Sequence, residues 1–194
     1  DILSQVFTDS QGDMRSVLRV LFNSEFFKQS QFKRVKCPAE LVAGVIKLTG
    51  TNREPNKQLE AIGVATAAMG QELYNPPTVE GWHTGKEWID GGALNERVNF
   101  AVNELDDVSN PGLKEIIERL NNMPQPLNHQ DLVNECIEFV GGVDLTPVTQ
   151  EALIAYAESC GVIKFDSEKE VHESTPKIVR MLQLVVASRE YQFA

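Results

Sequence analysis

The stretch "PKIVRMLQLVVAS", residues 176–188, is apolar on almost every face of a helix. A surface helix carries its apolar side chains in a single stripe, so a helix this apolar belongs in the centre of a bundle. Thr175 before Pro176 predicts the start of this helix, because a capping side chain followed by proline is typical of a first turn. The apolar positions are Ile178, Val179, Met181, Leu182, Leu184, Val185 and Val186.

The helical period of 3.6 residues recurs along most of the remaining chain. "GVIKF", residues 161–165, is the only candidate strand, and no Gly/Ser-rich linker divides the sequence. The sequence therefore predicts one all-α domain, residues 1–194, folded as an irregular bundle of about seven to nine helices with one long ordered loop at 70–90. Helical periodicity is clearest in the segments 13–27, 37–50, 56–70, 92–105, 111–120 and 129–140.

The net charge of −10 argues against non-specific binding to nucleic acid, which requires Lys and Arg to neutralise phosphates. "KQSQFKRVK", residues 28–36, is a local exception that we interpret as a solvated helix end or linker rather than a contact for an acidic partner. No apolar run approaches the roughly 20 residues that a membrane span needs, and the first residues lack a signal-peptide pattern.

The three cysteines do not form a disulfide framework or a metal-binding motif, because no pair has metal-ligand spacing. We expect Cys37, Cys136 and Cys160 to be small buried or half-buried residues. We also expect no metal site and no cofactor.

"MGQELYNPPTVEGWHTGKEWID", residues 69–90, shows neither helical nor strand periodicity and contains both tryptophans. Loops of this length are uncommon in compact domains unless they are functional or disordered, and tryptophans argue against disorder because each buries a large apolar area. The aromatic rings either anchor an ordered loop on the neighbouring helices or form a binding platform. The candidate ligand-binding residues are Tyr74, Trp82, His83 and Trp88.

No catalytic constellation is visible in the sequence, so the catalytic residues are unknown and enzymatic activity is left open. Glu80, Glu87 and Asp90 lie close enough in sequence for the carboxylate pair of a glycosidase, but proximity is their only support. The histidines are widely separated, and no nucleophile-elbow motif occurs. In the helix after the loop, Asn95, Arg97, Asn99 and Asn103 form a polar cluster. Asn95, Asn99 and Asn103 share a face at i+4 steps, and we expect them to hydrogen-bond the loop backbone rather than to form a ligand site.

Five stretches in a fixed order resemble the C-terminal part of a large bacterial family, the domain of unknown function numbered eighteen hundred. The most specific element lies in the loop: Gly70-Gln71, Leu73, Pro76-Pro77, Val79, Gly81-Trp82 and Trp88-Ile89. The five stretches are "GDMRSVLRVLFNSEFF", "KRVKCPAELVAGVIKLTG", "MGQELYNPPTVEGWHTGKEWI", "LNERVNFA" and "MLQLVVASREYQFA".

The resemblance implies a C-terminal region of a longer exported protein, located in the periplasm, the cell envelope or outside the cell. It implies two partners, the N-terminal half of the same protein and an exported sulfatase-like protein, and it carries no established reaction. We therefore expect a noncatalytic helical region that scaffolds or binds a partner. The alternative is part of a carbohydrate-active or other hydrolytic enzyme, with the Trp82/Trp88 loop as one wall of its site.

Overall fold

A computed structural model describes residues 2–53 and 59–194. Its structure is 63% helical, without strands or a sheet in the described ranges, which confirms the all-α fold. The described residues form ten α-helices, one more than the upper expectation, because α1 and the four-residue α3 are separate short helices. The helices are α1 Ile2–Asp9, α2 Met14–Asn23, α3 Glu25–Lys28, α4 Pro38–Thr49, α5 Leu59–Ala68, α6 Gly91–Glu104, α7 Pro111–Asn121, α8 His129–Phe139, α9 Pro147–Ser159 and α10 Glu168–Val186.

Between and after these helices lie two 3₁₀ turns and a short bridge. Two 3₁₀ turns cover Gly85–Trp88 and Glu190–Gln192. The candidate strand 161–165 is reduced to a single antiparallel bridge between Ile163 and Leu127. The predicted helical segment 56–70 begins outside the described residues, and α5 covers the part that is described. No helix within the described ranges has both the length and the apolar character to cross a membrane.

Helix α10 lies at the centre of the bundle, as its composition predicts. The side chains of Ile178, Met181, Leu182 and Val185 are fully buried, and the helix packs against α6, α7, α8 and α9. Because four helices pack against it, α10 is apolar over most of its surface between Ile178 and Val186, where Arg180 is the exposed position.

The predicted start of α10 at Thr175 was wrong. The helix begins two turns earlier, where the Ser167 side chain accepts a hydrogen bond from the Glu170 backbone N–H. Pro176 therefore lies inside the helix, where it removes one backbone donor. The Thr175 hydroxyl donates to the Val171 carbonyl at 2.7 Å. A serine cap with acidic residues in the first turn outweighs the Thr-Pro signal.

Helices α4 and α7 approach each other backbone to backbone. Gly112, in the first turn of α7, lies against the end of α4, and a Cβ atom at this position would collide with the Leu48 carbonyl oxygen. Gly50, with φ 71°, ends α4 in the left-handed conformation beside Pro111. This contact fixes the spacing of the two helices.

Helices α1 to α3 pack mainly on one another and contain no buried residue. The rings of Phe22 and Phe27 meet edge to face, with their centroids 5.1 Å apart, and from residue 2 onward Val35 is the first buried residue. We call the exposed apolar side chains of these helices the N-terminal apolar face; they are Ile2, Phe7, Met14, Leu18, Phe22, Phe26 and Phe27.

The segment at residues 34–36 pairs with the end of the chain. Arg34 and Ala194 exchange two backbone hydrogen bonds, of 3.2 and 2.7 Å, and the Lys36 N–H donates to the Gln192 carbonyl at 2.9 Å. The Arg34 guanidinium holds the Glu40 carboxylate through two hydrogen bonds of 2.7 and 2.6 Å. The basic stretch is therefore partly engaged within the fold.

The cysteines behave as expected. All three are free; Cys136 is buried in α8, whereas Cys37 and Cys160 are half-buried. Burial raises the pKa of the Cys136 thiol, so this side chain acts as a small apolar core residue.

Candidate functional site

Both ends of the 70–90 loop are anchored in the body of the protein. The Trp88 side chain is 5% exposed and lies beside Gly70, where an added Cβ would be 3.9 Å from the indole ring. The buried Gln71 side chain accepts a hydrogen bond from the Ala39 N–H at 2.8 Å, in the first turn of α4. The Asp90 side chain caps α6 by accepting from the Ala93 N–H at 2.7 Å. The loop is thus ordered at its base.

The structure separates the four residues predicted to bind a ligand. Trp88 is inside the core, Trp82 is half-buried, and Tyr74 is 99% exposed. The Trp82 indole N–H donates to the Glu72 carbonyl at 3.1 Å, so this ring holds the loop to itself. His83 is exposed and lies 3.1 Å from the Glu87 carboxylate. Trp88 therefore serves as an anchor, and ligand binding by Tyr74, Trp82 and His83 stays a prediction.

Two of the three acidic residues considered as a carboxylate pair, Glu80, Glu87 and Asp90, have structural partners. Glu87 accepts from the Thr84 N–H at 3.4 Å besides facing His83, and Asp90 caps α6. Glu80 is exposed on the turn between Thr78 and Gly81. These contacts explain the positions of Glu87 and Asp90 without a reacting substrate.

The most unusual buried group of α6 is Arg97, a member of the polar cluster whose burial the sequence did not predict. Arg97 is 0% exposed. Its Nε donates to Gln192 Oε1 at 2.8 Å, and its Nη2 donates to the Lys36 carbonyl at 2.9 Å. Its Nη1 is buried without a hydrogen-bond partner among the described residues. Asn95, Asn99 and Asn103 are exposed, so the prediction that they bond the loop backbone was wrong.

Lys36 places a second cation beside Arg97. Its Nζ donates to the Tyr191 carbonyl at 2.8 Å and lies 4.1 Å from the centre of the Tyr191 ring. Burial, and then the charge of Arg97, lower the pKa of Lys36, and burial also lowers the pKa of Arg97. Burial raises the pKa of Tyr191 to about 12, so the phenol stays neutral. The result is a positively charged junction between α6, residues 34–36 and the chain end.

A cavity of about 480 Å³ lies between the end of the loop, α6 and residues 187–194, which we call the C-terminal tail. We call it the α6–tail cavity. Its walls are mainly aliphatic and aromatic, with two exposed cations, Lys86 and Arg189, and the buried amide of Gln192. The lining residues are Lys86, Ile89, Leu94, Val98, Ala187, Ser188, Arg189, Gln192 and Phe193.

A second cavity, of about 350 Å³, contains a carboxyl group with a shifted pKa. Glu104, near the end of α6, lines it together with Ile46, Ile62 and Phe100. Burial raises the pKa of Glu104, against a hydrogen bond from the Thr51 hydroxyl at 3.4 Å. Within residues 2–53 and 59–194, no group of three or more His, Cys, Asp or Glu side chains could hold a metal ion.

Comparison with known protein families supports the resemblance seen in the motifs of the loop and the helices. The family model described as "Protein of unknown function (DUF1800)" matches residues 1–193, essentially the whole chain. No curated protein and no solved structure gave a significant match. The chain therefore belongs to the DUF1800 family.

Proposed function

We propose that this chain is a noncatalytic, helical C-terminal region of a longer exported bacterial protein, which it supports through the N-terminal apolar face. The observation that carries the proposal is the exposure of seven large apolar side chains on α1 to α3. Helices α4 to α9 bury most of their apolar residues around α10, and their exposed large apolar side chains are fewer: Leu59, Val64, Leu94 and Val148. The N-terminal apolar face is thus a surface whose covering element lies outside α1 to α10.

Large exposed apolar patches on soluble proteins commonly mark interaction sites. Burying apolar surface stabilises a complex by about 25 cal/mol per Å², and aromatic side chains are enriched in the centres of interfaces. The charges on the same three helices are mixed, and Lys28 is paired with Glu25. The surface that fits this face is therefore one that offers apolar side chains.

We assign this covering surface to the preceding part of the same protein. The full-length protein would be located in the periplasm, the cell envelope or outside the cell. A contact within one chain brings the two surfaces together at high effective concentration. A contact of this kind therefore needs no highly charged recognition motif on α1 to α3. The exported sulfatase-like partner implied by the resemblance is the alternative occupant, to be distinguished by experiment.

A double substitution, Phe7→Asp and Phe22→Asp, tests the proposal. Both rings are about half exposed, and Phe22 also contacts Phe27, so the variant should still fold, with an unfolding midpoint that is lowered only modestly. Its binding to the preceding part of the protein, supplied as a separate polypeptide, should be lost in isothermal titration calorimetry. Val148→Asp, at an exposed valine of α9, is the matched control and should bind like the wild type.

Several outcomes would contradict this assignment. Undiminished binding by the double variant would place the contact elsewhere. Binding to the sulfatase-like protein but not to the preceding region would assign the face to that partner. A wild-type dimer in sedimentation velocity that the double variant abolishes would make a second copy the occupant.

The hydrolase alternative rests on a different observation, the exposure of Tyr74 and the half-exposed ring of Trp82. We propose it second because aromatic rings accessible to solvent can stack on flat ligands such as sugars. A glycan array with the longer protein, comparing the wild type with Trp82→Ala, tests it directly. Loss of a specific glycan signal would favour the alternative, and the absence of any signal in the wild type would remove its support.

A further inference from the structure

We infer that the α6–tail cavity is a binding site for a small amphipathic anion, namely a carboxylate with an attached apolar chain. This inference concerns a different surface from the N-terminal apolar face and does not rest on the proposed function. It rests on the shape of the cavity, the chemistry of its walls and one buried amide without an acceptor.

The cavity has the size and the walls of a small-molecule site. Its volume of about 480 Å³ falls within the range of roughly 300–1,000 Å³ that is typical of ligand pockets. Ile89, Leu94, Val98 and Phe193 supply apolar contacts from three separate parts of the chain. An extended hydrocarbon chain would gain burial against these side chains.

The charged groups at the cavity select an anion. Lys86 and Arg189 are both exposed, and neither forms a salt bridge with any residue in 2–53 or 59–194. No acidic side chain lines this cavity. Since these 194 residues carry a net charge of −10, two cations without ion pairs at one apolar cavity form a local positive site.

Gln192 supplies a buried donor in the same wall. Its Oε1 accepts from Arg97 Nε, which fixes the orientation of the amide. Its Nε2 is buried and has no acceptor among the described residues. An unpaired buried donor is costly, and a carboxylate oxygen is an acceptor that forms strong, charge-assisted hydrogen bonds. Arg97, hydrogen-bonded to the amide oxygen, adds a third positive charge to those of Lys86 and Arg189.

Decanoate is the probe for this site, tested on the intact wild-type chain by isothermal titration calorimetry. We expect saturable binding of one decanoate, at least about tenfold tighter than binding of decanol or decyltrimethylammonium. Acetate, which lacks the apolar chain, should not bind measurably. In ¹H–¹⁵N spectra, decanoate should shift the Gln192 side-chain amide signals and backbone signals of residues 86–98 and 187–193.

The variant Lys86→Glu with Arg189→Glu should weaken decanoate binding by at least about tenfold, because both cations become anions. Both positions are exposed, so the fold should be retained. Lys47→Glu, at an exposed position of α4 outside the cavity, is the control and should bind like the wild type.

Three results would overturn the inference. Equal affinity for decanoate, decanol and decyltrimethylammonium would show that charge plays no part. Shifts confined to α1 to α3 would show that the hydrocarbon chain binds the N-terminal apolar face instead. Absence of shifts at the Gln192 side-chain amide up to millimolar decanoate would show that the cavity does not bind it.

Discussion

Arg97 Nε donates a hydrogen bond to Gln192 Oε1 at 2.8 Å, joining two fully buried polar side chains that lie 95 positions apart in the sequence. The same guanidinium binds the Lys36 carbonyl. A buried charge is tolerated only when hydrogen bonds offset its loss of hydration. Arg97 therefore acts as a junction that holds α6, the segment before α4 and the chain end together.

Replacing Arg97 should destabilise the fold strongly. Arg97→Ala removes two hydrogen bonds, leaves their acceptors buried and unpaired, and opens a cavity. We expect the free energy of unfolding to fall by about 3–5 kcal/mol, measured by urea denaturation. Arg53→Ala, which removes an exposed ion pair with Glu115, is the control and should leave the midpoint nearly unchanged. Equal midpoints for both variants would show that the junction is dispensable.

The two tryptophans of the loop should differ in their effect on stability. Trp88→Ala removes a buried ring beside Gly70 and should cost about 3–5 kcal/mol. Trp82→Phe keeps an aromatic ring but loses the N–H bond to Glu72 and should cost about 0.5–1.5 kcal/mol. Chemical denaturation with both variants measures the difference. A larger loss for Trp82→Phe would mean that the anchor has been assigned to the wrong ring.

Two glycine-to-alanine substitutions should change the stability of the protein in opposite directions. Gly112→Ala forces a methyl group into the Leu48 carbonyl oxygen, and backbone atoms on both sides cannot yield, so the protein should be markedly destabilised. Gly44→Ala, within α4, has nothing within 4 Å of the new methyl group. It should stabilise the protein by about 0.5–1 kcal/mol, because alanine favours the helix. Thermal unfolding of the pair checks the contrast; a stabilised Gly112→Ala would refute the close contact of α4 and α7.

The Glu40 carboxylate should make stability depend on pH in the acid range. The Arg34 guanidinium lowers the pKa of Glu40 from 4.5 to about 2. Because the folded-state pKa is the lower one, this stabilisation is complete above pH 4.5 and disappears as the pH falls through about 2. The difference in stability between the wild type and Glu40→Gln should therefore be largest near neutrality and shrink between these values.

Urea titrations of both proteins at a series of pH values measure this difference. In an Arg34→Gln background the difference should be smaller at neutral pH, because the guanidinium is the main cause of the shift. A difference that stays constant from neutral pH to pH 2 would contradict the role of this ion pair.

The parts of the fold that follow from local pattern could be predicted from the sequence. The apolar composition of residues 178–186 predicted the central position of α10, because a helix packed against four others needs more apolar surface than a single stripe. Its start could not be located from the Thr175-Pro176 signal, since Ser167 supplies a competing cap. When two capping signals of similar strength compete, tertiary packing determines where the helix begins.

The candidate site depended on contacts that local pattern does not contain. In the sequence, Arg97 stands between Asn95 and Asn99, and nothing local indicates that it is buried. Its burial depends on hydrogen-bond acceptors from Lys36 and Gln192, which are distant along the chain. Trp82 and Trp88 lie six residues apart in the same loop, and their burial in the folded chain distinguishes the anchor, since Trp88 is buried beside Gly70 and Trp82 is half-buried. Pairings of this kind become visible only in three dimensions.

Hydrogen–deuterium exchange of α1 to α3 tests the central claim, that the N-terminal apolar face is covered by the preceding part of the protein. The chain is compared alone and within the longer protein. We predict that amides of α1 to α3 exchange at least about tenfold more slowly in the longer protein, because a covered helix opens less often. Amides of α10 should exchange at the same rate in both. Equal exchange of α1 to α3 in the two proteins would contradict the account.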